Sequence, residues 1–116
     1  NAVRHHSLGA VHGMQAGVSG PPPSLPKMSY VEFQALIAET LESLQAVTPD
    51  EVNELEGKPT LFKMGDFEIP FTCENFAMSF SIPNLMFHAT TVYNILRIKG
   101  VPLGKQDFLG QMRMGH

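Results

Sequence analysis

The sequence predicts a mainly α-helical bundle carrying a small β-hairpin, and three observations lead there. The first is the stretch 72–100, where apolar residues recur at Phe76, Phe80, Phe87, Ile95 and Ile98 along one stripe. Ala77, Met78, Leu85, Ala89, Val92 and Leu96 continue the apolar character around the rest of the turn. A helix that is apolar nearly all round is ordinarily buried on most sides, so this one is expected at the centre of the bundle. The second observation is a repeated start signal, Ser29-Tyr30-Val31-Glu32 and Thr48-Pro49-Asp50-Glu51, each with the residue types of a capping box. The third is a pair of short β-prone runs, 60–63 and 67–71, on either side of Met64-Gly65-Asp66. With 116 residues, 43 % of them hydrophobic, the chain can build one modest core, which predicts a single domain over 1–116.

In order along the chain, Val3, Leu8, Val11, Met14 and Val18 recur at roughly helical spacing and predict a first helix. Gly9, Gly13 and Gly17 fall four apart on one side of it, a flat face suited to close approach of another helix. Ser19–Lys27 holds four prolines and a glycine, which excludes helix and central strand and predicts an extended connector. Ser29 then caps a helix whose apolar side runs through Val31, Leu36, Ile37, Leu41, Leu44 and Val47, with Glu32, Glu39 and Glu42 turned to solvent. Thr48 caps a short turn to about Leu55, ended by Gly57. In the hairpin, Gly65 can take a positive φ and Pro70 assigns its strand to an edge. Thr72 caps the long helix, Pro83 should kink it just before Asn84 and His88, and Arg97, Lys99, Gly100 and Pro102 end it. Beyond lies a loop folded back by Pro102, Gly104 and Gly110, with Phe108 and Leu109 docking it on the bundle and Gln111–His116 as a frayed end.

The totals exclude several classes. A net charge of −3, with eight scattered Lys and Arg, provides no basic field, so no nucleic-acid partner is expected. No apolar run reaches the roughly 18 to 20 residues that span a bilayer, so no membrane association is expected either. The single cysteine, Cys73, rules out an internal disulfide, and a reducing, cytoplasmic setting is the default. The chain starts at Asn1, without Met, inside a helical pattern, which points to processing, truncation or an incompletely read N-terminus.

Candidate chemistry concentrates on the long helix. Asn84, His88 and Thr91 stand at i, i+4 and i+7 and form its one polar seam. His88 suits a metal ligand or general base, and equally a buried histidine held by hydrogen bonds. Lys105 and Asp107 lack the preceding strand and spacing of a phosphate loop and are expected to hydrogen-bond near the end of the long helix. Cys73 has no identified base beside it, and the seven methionines read as core filling.

The segment from Ile82 to Gly110, IPNLMFHATTVYNILRIKGVPLGKQDFLG, resembles the C-terminal signature of the domain-of-unknown-function 1993 family. The shared positions include Pro83, Asn84, Phe87, His88, Thr90, Thr91, Tyr93, the Ile95-Leu96-Arg97 run and Gly100-Val101-Pro102. They continue through Gly104, Lys105 and Asp107 to Gly110, and agreement extends more weakly to Phe33–Leu44 and 60–71. That family is grouped with DinB-like, or YfiT-like, four-helix bundles, many of them metal-dependent enzymes with a three-histidine site. The resemblance implies an up-down bundle in which this chain supplies helices two to four. The absent first helix would leave an apolar groove for an unseen segment or a second subunit, and a homodimer is the expectation.

The resemblance also implies where a divalent transition metal such as zinc or nickel would sit, with His88 and one or more of His5, His6 and His12 as ligands. Asn84 and Val92 stand four residues either side of His88, where relatives carry a paired histidine, so the usual ligand pair of the last helix is missing. The leading expectation is therefore a dimeric protein with a structural or small-molecule-binding role. The alternative is a metal-dependent hydrolase or thiol transferase.

Overall fold

The computed structural model describes residues 1–115; of the closing stretch, His116 lies outside the described residues. Three helical arms leave a small sheet. Helix α1 covers 2–16, with a π-helical turn over His5–Gly9 between the α-helical Ala2–Arg4 and Ala10–Ala16. Gly17 closes it at φ 75°, a left-handed position where glycine carries no Cβ penalty. Strand β1 (Val18–Ser19) follows, then a connector to helix α2 (Tyr30–Ala46) and the short helix α3 (Pro49–Asn53). Strands β2 (Pro59–Met64) and β3 (Phe67–Thr72) form the hairpin. Helix α4 spans 73–98 as Cys73–Asn75, a π-helical Phe76–Ser81 and the α-helical Ile82–Ile98, and α5 is Lys105–Leu109.

The local signals act as their chemistry requires. Ser29 and Thr48 accept from the backbone N–H of Glu32 and Glu51, whose carboxylates accept in return from the N–H of Ser29 (2.6 Å) and Thr48 (2.7 Å). Thr72 caps α4 by accepting from Asn75 N–H. Gly65, at φ 60°, is the one residue of the two-residue hairpin loop with positive φ, as a II′ turn needs. The strand order β1-β2-β3 puts Pro70 on an edge strand, where its missing N–H breaks no ladder.

Four expectations are corrected. The sheet has three strands, because Val18 and Ser19 pair in parallel with Leu61 and Phe62 before the proline connector begins. Gly13 gives its close approach to this strand and not to a helix: a Cβ there would sit 2.8 Å from Ser19 Cβ. The break around Pro83 is a wide π turn placed ahead of it, over Phe76–Ser81, with Asn84 Nδ2 donating to Phe80 O at 2.7 Å. The tail after Gly104 is a short helix, since the Asp107 carboxylate accepts from Gly104 N–H at 2.7 Å.

The core sits where α1, the sheet and the start of α4 meet, and comprises Ala10, Met14, Leu55, Phe62, Cys73 and Phe76. Beyond it the arms separate, and this overturns the expected burial of the long helix. No residue of Ile82–Ile98 is buried, Phe87 being 66 % and Ile98 82 % exposed. The reason is geometric: α1 and α2 flank α4 without enclosing it. The radius of gyration, 15.8 Å, exceeds the roughly 13 Å of a packed chain this long. Among the described residues, no helix is long and apolar enough to cross a membrane.

Candidate functional site

The π-helical turn of α1 packs against the Ile82–Ile98 part of α4, and there the structure gathers three of the predicted histidines, His5 and His6 from the turn and His88 from α4. The His6 ring stacks on His88 at 5.5 Å with 7° between planes, and meets His5 edge-on at 5.2 Å and Phe80 at 5.9 Å. His5 Nε2 lies 2.8 Å from Gly20 O; a carbonyl only accepts, so Nε2 carries the proton and donates. Burial, first, and then the neighbouring His5 and His88 charges hold the His6 pKa below its ordinary value of 6.5, so the imidazole stays neutral further into acid. His12 is exposed and makes no ring contact with the others.

The rest of the seam is spent locally. Asn84 bonds Phe80 O, and Thr91 Oγ1 donates to Phe87 O at 2.8 Å, each four residues back on its own helix. As a metal centre the set is incomplete. His6 and His88 lie ring on ring with no convergence on a shared point, and His5 commits one nitrogen to Gly20. Among the described residues, no three His, Cys, Asp or Glu side chains stand where one ion could join them. Cys73 is buried against Met14 O, 3.8 Å from its sulfur, and burial raises its pKa, which disfavours the thiolate.

A larger feature lies on the other side of α1. An apolar groove of about 510 Å³ runs between α1, α2 and α4. Helix α2 contributes Phe33, Leu36, Ile37, Leu41 and Leu44, while α4 contributes Leu85 and Val92. From α1, Val3 and Arg4 enter it; Arg4 is partly buried, and its Nε donates to Thr40 Oγ1 at 3.1 Å. Thr40 in turn donates to Leu36 O at 2.7 Å. Sequence reasoning anticipated an apolar groove but missed Arg4 and Thr40. The available signal was a polar Thr40 on the apolar side of α2, one turn from Leu36 and Leu44.

The match to the family model "Domain of unknown function (DUF1993)" runs over residues 3–109 and so includes the histidine cluster and nearly all of α1 and of the groove. The chain belongs to the DUF1993 family. A DinB family member protein from Shewanella denitrificans has a similar solved structure, at a TM-score of 0.72 and 25 % identity. The alignment covers 99 % of this chain and 65 % of that one, so this DUF1993 chain spans under two thirds of the length of that neighbour. Its fold is DinB-like, mainly helical with a small three-stranded sheet. No functionally curated protein matches it.

Proposed function

We propose that this chain is a ligand-binding DinB-like scaffold, with α1, α2 and α4 as three helices of an up-down bundle and the groove between them as its binding surface. The groove itself supports this reading: its roughly 510 Å³ falls within the range of small-molecule sites, and its walls are apolar with a few polar groups. The histidine cluster would couple α1 to α4 and keep the far wall of the groove in place. The competing reading, a metal-dependent hydrolase or thiol transferase, needs a third ligand beside His6 and His88. Near-stoichiometric zinc or nickel in protein purified without chelators would replace the binding reading with that one.

A homodimer is a second proposal, favoured by a separate observation. Phe87 and Ile98, eleven residues apart, share with Thr91 a stripe of α4 turned away from Leu85 and Val92, and both are largely exposed. Titration with a neutral, environment-sensitive apolar dye tests the binding reading. Saturable binding at one site, lost in Leu41→Glu, supports it; binding indifferent to that change refutes it. Sedimentation on the same samples should give the mass of two chains, and one chain at every concentration would remove the dimer.

A further inference from the structure

We propose that the C-terminal motif builds a site of its own, a pocket between α4 and α5 that takes a small aryl carboxylate, with Lys105 pairing its negative charge. The pocket, about 200 Å³, is lined by Thr90, Tyr93 and Asn94 of α4 and by Lys105 and Phe108 of α5. Gly100, at φ 88°, turns the chain back, and Val101 N–H donates to Leu96 O, which brings the tail alongside α4. The Asp107 carboxylate then caps α5, and Phe108 meets the Tyr93 ring edge-on at 5.7 Å. This pocket is separate from the groove. At about 100° per residue, Thr90 and Asn94 stand nearly half a turn round α4 from Leu85 and Val92, and no residue before Thr90 forms its walls.

Its polar groups are donors that the fold leaves unspent. Asp107 gives one carboxylate oxygen to Gly104 N–H at 2.7 Å and, two residues along a helix from Lys105, does not face it. Among the described residues Lys105 forms no ion pair, and the side chains of Thr90 and Asn94 make no hydrogen bond. Tyr93 Oη accepts from Arg97 Nη1 at 3.4 Å, and that guanidinium lies 5.6 Å from the ring centroid, so the phenol keeps its own proton to donate. No Asp or Glu lines the pocket, and ten of the eleven acids in the chain lie at or before Glu74. An ammonium that only donates, beside a hydroxyl, a phenol and an amide N–H, matches a group that only accepts, as an ionised carboxylate does. With Arg97 committed to Tyr93, one lining cation balances one negative charge, whereas a phosphate monoester would bring up to two. The rings of Phe108 and Tyr93 offer apolar area to a flat body. The volume, below the usual range for drug-sized ligands, limits that body to about one ring.

Heteronuclear NMR on the whole chain at fixed ionic strength, titrated with benzoate and with neutral benzamide, tests this. Benzoate should shift the amides of Thr90, Tyr93, Asn94 and Lys105 saturably. It should bind at least about tenfold more tightly than benzamide, the range of a hydrogen bond to a charged group. Lys105→Met should abolish that preference and Lys105→Arg should keep it. Lys105 is exposed, and the spectrum of each variant reports whether the fold is intact. Equal affinity for the two probes, or a preference that survives Lys105→Met in a folded variant, overturns the assignment. So do shifts confined to Leu41 and Leu85, which would place the probes in the groove, and so does the absence of any shift with benzoate.

Discussion

Phe76 is the side chain on which the sheet, α1 and α4 converge, and Phe76→Ala should be the costliest single truncation in this chain. It is 2 % exposed, stacks on Phe80 at 5.3 Å and meets Phe71 edge-on at 5.5 Å. Deleting a buried Phe ring costs about 3 to 5 kcal/mol in lost transfer energy and cavity, and the two ring pairs place this site toward the upper end. The buried apolar set has few other members, so total stability should lie near the low end of the usual 5 to 15 kcal/mol. The variant should therefore be partly unfolded in water at 25 °C. Urea unfolding followed by far-ultraviolet circular dichroism measures the loss, with Phe87→Ala as the comparison because Phe87 is 66 % exposed. A loss below about 1.5 kcal/mol for Phe76→Ala would refute the placement of the core. Equal losses for the two variants would show Phe87 to be covered in solution.

Three further outcomes follow from the geometry. The His6 pKa is depressed in the folded chain, so between that value and 6.5 the unfolded chain binds more protons; stability should fall as pH drops below 6.5, and thermal melts of His6→Asn should show a shallower decline. Ser29→Ala and Thr48→Ala should each cost about 1 kcal/mol, read from shifts in the urea midpoint, because each deletes the hydroxyl that accepts from the third helical N–H. Gly13→Ala should destabilise by about 1 to 3 kcal/mol despite the better helix propensity of alanine, since its Cβ would press on Ser19 Cβ at 2.8 Å; an unchanged melting temperature would show that β1 yields freely.

The parts of the fold legible in the sequence are those fixed by residues close together in the chain. Ser29 with Glu32, Thr48 with Pro49 and Glu51, Gly65 in the hairpin loop and Thr72 before α4 each satisfy or shape backbone within a few positions. Residue type alone therefore sets the boundaries they mark. The candidate site was legible only as a set of names. His5, His6 and His88 do meet, but which ring faces which, and that His12 stays outside, depends on how α1 lies against α4 and on π turns that no periodicity announces.

The sequence by itself determined the helical class, the hairpin and its edge strand, the helix ends and the family resemblance, because those rest on short-range hydrogen bonding and a continuous motif. Only the tertiary structure decided that α4 stands exposed, that Val18 and Ser19 add a third strand, and that Arg4 and Thr40 meet in an apolar groove. An all-round apolar helix states that its surface needs cover. What covers it depends on packing between segments dozens of residues apart, and no local pattern carries that.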